Sequence, residues 1–249
     1  HELVLKIIDA QLDTGLISGD EARAELLVEK GKLFENDLLR DKDAELAYKA
    51  AMREKAGHEL AEEALEQLTM VRDNWQKIVK KFLDEAKAST DRQLTTGLYT
   101  SVGEHFARFS PGSYEAETYW QKALQVEPRN RRASQHLERF LRAASRWPDL
   151  AKVLEQRADN SATKEERVAT LLQLADISTK RLGKPEAATE AHKKALTIDP
   201  GNARALGSLE AFFTQKGDWA QLVKLYEGAL KVRQRTDAEL PTVLQIGRK

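Results

Sequence analysis

The chain has 249 residues, of which 41% are hydrophobic and 32% are charged, and its 40 basic residues balance 40 acidic ones. A neutral chain lacks the surplus of lysine and arginine that coats nucleic acid, and no apolar run approaches the ~20 residues of a membrane span. The absence of cysteine excludes disulfides, thiolate nucleophiles and thiolate metal sites. We expect a cytoplasmic protein, and the periplasm stays open.

A period of 72 residues runs through the sequence. Three of the four tryptophans, Trp75, Trp147 and Trp219, are spaced by this interval. The segments ALEQL, HLERF and SLEAF align at the same period, as do the small residues at positions 31, 103, 175 and 247. Regular self-similarity of this length is typical of stacked repeats, which bury a continuous core between neighbours.

The predicted elements follow this period in chain order. Residues 1–19 read as the closing helix of a preceding unit. Residues 20–90, 91–162 and 163–236 form three units of four helices each, and residues 237–249 begin a further unit. This arrangement predicts about fourteen helices, no sheet, and one continuous array over residues 1–249 that is part of a longer one.

The helix boundaries carry recognisable signals. In the third unit, ARALGSLEAFFTQ and WAQLVKLYEGAL each have apolar residues at helical spacing. Between them, Gly217 suits a helix C-cap and Asp218 the next N-cap. The joints EPRN and DPGN end a helix at proline, and Asn130 or Asn202 can cap the next. Each tryptophan of the period is therefore predicted to begin a second helix and to pack between repeats.

The segment ALTIDPGNARALGSLEAFFTQKGDWAQLVKLYEGAL resembles the tetratricopeptide repeat family, which has about 34 residues per helix pair. The segment EAETYWQKALQVEPRNRRA is similar at its joint. The chain departs from the family at positions 66, 138 and 210, where glutamate replaces Gly or Ala, and at Ala56, which replaces the joint proline. The resemblance implies an all-α, right-handed superhelical α-solenoid of antiparallel helix pairs. It also implies a scaffold or adaptor protein. Such a protein binds other proteins or peptides in a concave groove lined by the first helix of each helix pair.

No catalytic, cofactor or metal site is predicted, so we do not expect an enzyme. The segment HELAE at 58–62 has Glu62 where a zinc-protease helix requires a second histidine. Glycine-rich phosphate loops and nucleophile elbows do not occur. The repeated glutamates Glu66, Glu138 and Glu210 are too far apart to share a metal ion. They are predicted to be structural acids paired with Arg or Lys of a neighbouring helix.

The helix within EPRNRRASQHLERFLRAASR carries the candidate partner-binding surface. Polar residues recur there at spacings of three or four. They are Arg132, Gln135, His136, Arg139 and Arg142, and other first helices add Arg108, Lys180 and Arg204. Neighbouring positive charges repel one another, so a contribution to folding stability explains this row poorly. Guanidinium groups, by contrast, bind carboxylates through two hydrogen bonds. We predict that Arg132, Arg139 and Arg142 anchor an acidic partner protein or peptide.

Other interpretations stay open. The same arginines could bind RNA, although no aromatic side chains interleave them for base stacking. The charged face could be merely solvated, or the array could be a structural spacer or self-assembly segment. If the array is cut at both ends, the apolar surfaces exposed there could also make two copies of the chain dimerise. Long arrays with W-x-x-L second helices are similar in style to those of bacterial motility, polarity and envelope-assembly proteins, which are the candidate systems.

Overall fold

The computed structural model describes residues 2–15 and 17–235, and all regular structure within these ranges is helical. The prediction of an all-α fold is confirmed. Twelve α-helices follow one another in this part of the chain. They are α1 (Glu2–Asp13), α2 (Asp20–Lys32), α3 (Asp41–Glu54), α4 (Glu59–Ala88), α5 (Arg92–Phe109), α6 (Glu115–Val126), α7 (Arg131–Ala143), α8 (Trp147–Asn160), α9 (Lys164–Lys180), α10 (Pro185–Ile198), α11 (Ala203–Lys216) and α12 (Trp219–Arg235). A π-helical turn, Leu33–Asp37, extends α2.

The helices form two compact bodies. The N-terminal body contains α1–α6 and ends at Val126, and the C-terminal body begins at Glu127 and contains α7–α12. Within each body, helices that follow one another in sequence pack together, for example α2 on α3 and α9 on α10. Helix pairing is confirmed, and the right-handed superhelix and the 72-residue unit boundaries stay predictions. None of the described helices has the length and apolar character that crossing a bilayer requires.

The helix count differs from the predicted fourteen for two identifiable reasons. First, α4 continues for 30 residues through the point where a turn was predicted, so two expected helices are one. Second, the last predicted helix falls in residues 237–249, outside the described residues. Elsewhere the predicted caps are present. Asn130 Oδ1 accepts from Ala133 N at 2.9 Å and Asn202 Oδ1 accepts from Ala205 N at 3.1 Å.

Two glycines allow a large aromatic ring to approach a first helix closely. A Cβ atom on Gly31 would lie 2.3 Å from Tyr48 Cε1, and one on Gly103 would lie 2.5 Å from Trp120 Nε1. Tyr48 and Trp120 are almost fully buried. In the third unit the corresponding residues are an alanine at position 175 and a histidine at position 192, both buried. A smaller ring therefore occurs where the facing position carries a methyl group.

The three tryptophans of the period do not share one environment. Trp147 and Trp219 begin α8 and α12 as predicted, whereas Trp75 lies inside α4. The Trp219 ring is 61% exposed, and Trp147 and Trp75 are half-buried. Trp147 has the Arg181 guanidinium 4.8 Å from its ring centroid. The prediction that each of the three begins a second helix and packs between repeats is therefore wrong for Trp75, which lies inside a helix, and for Trp219, whose ring is largely exposed.

Replacing Trp147 by alanine is expected to lower the free energy of unfolding by about 1–2 kcal/mol, since the half-buried ring and its contact with Arg181 are lost. Urea unfolding followed by circular dichroism measures the effect. Trp219→Ala is the matched control and is expected to change stability by less than about 0.5 kcal/mol, because its ring is largely exposed. Equal losses in the two variants would contradict the structural difference between the two sites.

Candidate functional site

The helix α7 concentrates positive charge on its surface. Asn130 caps it, and its apolar residues Ala133, Leu137 and Leu141 are buried. Four arginines occur along its 13 residues, and three of them are exposed. The exposed ones are Arg131, Arg132 and Arg142. The one carboxylate of α7 belongs to Glu138, which is only 8% exposed. The surface of α7 therefore presents cations without exposed acids of its own.

Glu138 is a structural acid, as predicted for this position. Arg157 of α8 donates to Glu138 Oε1, and it also donates to Thr170 Oγ1 at 3.1 and 3.0 Å and to Gln173 Oε1 at 3.1 Å. Burial raises the pKa of Glu138, while the charge of Arg157 acts in the opposite direction. Arg157 of α8 thus connects to α7 through the buried carboxylate of Glu138 and to α9 through Thr170 and Gln173.

The equivalent glutamates of the other two units have different surroundings. Glu210 accepts a hydrogen bond from Tyr226 of α12, and burial together with this bond raises the pKa of Tyr226 to about 12. Glu66 is exposed and forms no ion pair within the described residues. Among the described residues, the predicted arginine is thus present at Glu138, Tyr226 donates a hydrogen bond to Glu210, and Glu66 has no ion pair.

Two of the predicted binding residues contact each other on α7. His136 is buried, with 4% of its surface exposed, and Arg139 donates to His136 Nδ1 at 2.8 Å. His136 is therefore corrected from a surface contact to an internal one, because a partner cannot reach its ring. Helical spacing alone did not separate it from Gln135, which lies one residue earlier and is half-buried at the surface.

Arg108 lies in the N-terminal body within a cluster of acids. Its side chain is 8% exposed and forms ion pairs with Asp41 at 2.6 Å and Glu35 at 3.5 Å. Tyr48 Oη also donates to Glu35 at 2.8 Å. This placement corrects the prediction that Arg108 flanks the binding surface, because its guanidinium is occupied internally. The pairing joins residues 67 positions apart, which local spacing does not reveal.

Lys180 and Arg204 lie on either side of a single carboxylate. Lys180 Nζ is 3.5 Å from Asp176 Oδ1 on α9, and Arg204 of α11 donates to Asp176 Oδ2. Both cations are exposed. Two cations share one acid, so this part of the surface keeps a net positive charge of one.

A polar cavity of about 280 Å³ opens between the start of α7, the end of α8 and α9. Of the predicted residues, only Gln135 lines it. The other polar and charged lining residues are Arg129, Asn130, Arg131, Ser134, Arg157, Asn160, Ser161, Glu166, Thr170 and Gln173. Sequence analysis missed Arg131, which lies four residues before Gln135 on the same stripe of α7, and on α9 it named Lys180 but not the residues that line the cavity. Among the described residues, no three His, Asp or Glu side chains come together as metal ligands.

Comparison with known proteins agrees with the predicted repeat type. Residues 205–239 match the tetratricopeptide repeat family, and most of α11 and all of α12 lie within this range. Among solved structures, the chain is similar to the TPR2AB domain of yeast Sti1 in its complex with pHSP90. The identity is 12% and the TM-score 0.30, over 90% of this chain and 96% of that one, a likeness too low to bear on fold or partner. No curated protein matches the chain. The matched range and the paired helices confirm a tetratricopeptide-like repeat.

Proposed function

We propose that this tetratricopeptide-like chain is a non-enzymatic scaffold that binds an acidic segment of another protein on the first-helix surface of its C-terminal body. The observation that carries the proposal is the charge of α7. This helix exposes Arg131, Arg132 and Arg142, while its own carboxylate on Glu138 is buried and neutralised by Arg157. Repulsion within such a row is relieved when a partner supplies carboxylates.

The cavity beside α7 supports an extended segment as the ligand. Arg131 and Gln135 line it from α7, and Gln173 lines it from α9. Amide and hydroxyl groups can donate to and accept from a peptide backbone, whereas arginines select acidic side chains. On α9, Gln173, Asp176 and Lys180 lie on one stripe at spacings of three and four, so the polar surface continues from the cavity towards Lys180 and Arg204.

The proposal is tested by reversing the three exposed arginines of α7. The ligands are peptides selected from a random library displayed on phage, followed by fluorescence anisotropy at rising salt. The wild-type chain is expected to select peptides rich in Asp and Glu. The variant Arg131→Glu, Arg132→Glu, Arg142→Glu is expected to bind them about tenfold to hundredfold more weakly. Arg139 is left unchanged because it contacts buried His136.

The matched control reverses three exposed lysines of the second helices α8, α10 and α12. These are Lys152, Lys194 and Lys224. The control has the same net charge as the test variant and is expected to bind like the wild type. Peptide affinity that survives the arginine reversal would overturn the proposal. The RNA alternative would be favoured if the wild type bound single-stranded RNA but not acidic peptides, and if the arginine reversal abolished RNA binding.

A further inference from the structure

The helix α4 takes the place of two helices that, in the C-terminal body, turn back on each other as an antiparallel pair. By the 72-residue period, residues 59–73 correspond to α7 and α11, and residues 74–88 correspond to α8 and α12. In the C-terminal body each of these pairs turns at a residue with positive φ, Ser145 at 55° and Gly217 at 66°. The corresponding residue Asp73 is helical. Because α4 does not turn, its second half does not fold back onto its first half.

The surface that a returning helix would cover is open in the N-terminal body. A shallow cavity of about 440 Å³ has Met52 of α3 and Leu65 and Met70 of α4 as its apolar part, with Thr69 beside them. The acids at its rim are Glu62, Glu66 and Asp73. Met70 is 56% exposed. We call this surface the α4 seat, defined by these seven residues.

In the third unit a returning second helix lies over the equivalent surface, and the cavity there is smaller, about 300 Å³. Two periods further along the chain, the residues that correspond to Met52, Leu65 and Thr69 are the apolar residues of a second cavity. They are Leu196, Leu209 and Phe213, and this cavity has an additional wall of Gln221, Lys224 and Leu225 from α12. The α4 seat has no such wall, because the residues that correspond to α12 continue α4 in a straight line away from it.

The second half of α4 in turn has an incompletely buried apolar face. Ile78 and Phe82 correspond to Leu150 and Leu154 of α8, which are fully buried. Ile78 and Phe82 are only half-buried. Phe82 packs on His105 of α5 at 5.7 Å between ring centroids, so α5 covers part of this face. The stripe of the second half that continues the seat along the straight helix is formed instead by exposed lysines, Lys77, Lys80 and Lys87.

Contacts across the middle of α4 favour the straight helix. Trp75 of α4 packs on Phe106 and Phe109 of α5, at 5.5 and 5.8 Å between ring centroids. The end of α5 is in turn connected to α3 through the ion pair of Arg108 with Asp41 at 2.6 Å. Folding α4 back within one chain would move α5 away from α3 and break this buried pair, whereas filling the seat from a second chain leaves it in place.

The charges of α4 are complementary when two copies run antiparallel. Residues 59–73 contain five acids and one arginine, a net charge of −4, and residues 74–88 contain four lysines and two acids, a net charge of +2. Glu62 and Glu66 form no ion pair within the described part of the chain. Antiparallel pairing brings the acidic half of each helix beside the lysine-rich half of the other, twice by symmetry.

We propose that two copies of this chain associate through α4, with the second half of each α4 seated on the first half of the other. The exchange is reciprocal and closed, with the two-fold axis near Asp73 and Asn74. The helix of 30 residues, about 45 Å long, supplies both the seat and its occupant. This proposal does not rest on the acidic partner of α7.

The test uses two charge-reversed chains and sedimentation velocity. One carries Glu62→Lys with Glu66→Lys, and the other carries Lys80→Glu with Lys81→Glu, all at exposed positions. The wild type is expected to be a dimer, and each variant alone is expected to dimerise at least tenfold more weakly. An equimolar mixture is expected to regain the dimer, because each half of α4 then meets opposite charge only in the mixed pair. A control variant reverses exposed charges on α8 and α10, as Glu155→Lys with Lys194→Glu, and is expected to dimerise like the wild type.

Two further variants distinguish the second copy from other occupants. Asp73→Cys adds a single cysteine in the seat, near the proposed axis of a chain that has none, so it should form a disulfide-linked dimer on oxidation. Asp73→Gly supplies the residue found at Gly217 and is expected to shift the chain towards monomer by allowing the turn. A wild type that stays monomeric at hundreds of micromolar, a dimer that ignores the charge reversals, or a mixture that remains monomeric would each overturn the proposal.

Discussion

Replacing Arg157 by alanine is expected to lower the free energy of unfolding by about 3–5 kcal/mol at neutral pH, because Glu138 is left as an uncompensated buried charge. Arg157 also satisfies Thr170 and Gln173, so its loss removes hydrogen bonds in three helices. Urea unfolding at pH 7 measures the change. Arg167→Ala is the control, since the pair of Arg167 with Asp159 is exposed and separated by 3.6 Å, and its loss should cost less than about 1 kcal/mol.

The same variant is expected to recover towards the wild type in acid. Arg157 lowers the pKa of Glu138, which burial raises above its ordinary value of 4.5, so removing Arg157 raises this pKa further. A carboxyl whose pKa is raised in the folded state contributes its stability below the ordinary value and loses it as pH rises through the folded value. The gap between variant and wild type should therefore be smaller at pH 4 than at pH 7. An equal gap at both pH values would contradict the burial of an unpaired Glu138 as the cause.

Replacing Gly103 by alanine is expected to destabilise the N-terminal body by about 1–3 kcal/mol, although alanine is the better helix former. The added Cβ would lie 2.5 Å from Trp120 Nε1 and 3.0 Å from the carbonyl oxygen of Ala116. The indole is buried and cannot move aside without disturbing its neighbours. Thermal unfolding followed by circular dichroism measures the loss.

The control for this prediction lies in the same helix. Gly97 of α5 has open space where a Cβ would stand, so Gly97→Ala is expected to stabilise the chain by about 0.5–1 kcal/mol. The two substitutions are chemically identical and should have opposite signs. A gain in stability from both would mean that helix propensity, and not contact with Trp120, decides the outcome at Gly103.

The sequence was sufficient to predict the helices, their pairing and most of their ends, because caps and apolar spacing are local signals. It was not sufficient at α4. The position of the turn carries Gly217 in one unit and Ser145 in another, and both adopt positive φ. Asp73 occupies the same position, so the 72-residue period predicts a turn there. Aspartate is also compatible with a helix, so packing around Trp75 and Arg108 decides between the two.

The candidate site was predicted in part, for a related reason. Helical spacing correctly placed Arg132 and Arg142 on the surface of α7, because exposure follows the helical period. It could not place His136 or Arg108, whose burial depends on contacts with residues elsewhere. Arg131 was missed because the cavity that it lines requires α9, which is distant in sequence.

The pairs of Gly31 with Tyr48 and of Gly103 with Trp120 also bear on how similar repeats avoid pairing wrongly during folding. Repeats of one sequence type can exchange partners, which is a characteristic error of such proteins. A tryptophan that needs a glycine opposite it cannot pack against the methyl group of Ala175 without a clash. Conversely, a histidine opposite Gly103 would leave a void. The volumes within these pairs therefore disfavour packing of α3 or α6 on α9, and of α10 on α2 or α5, during folding.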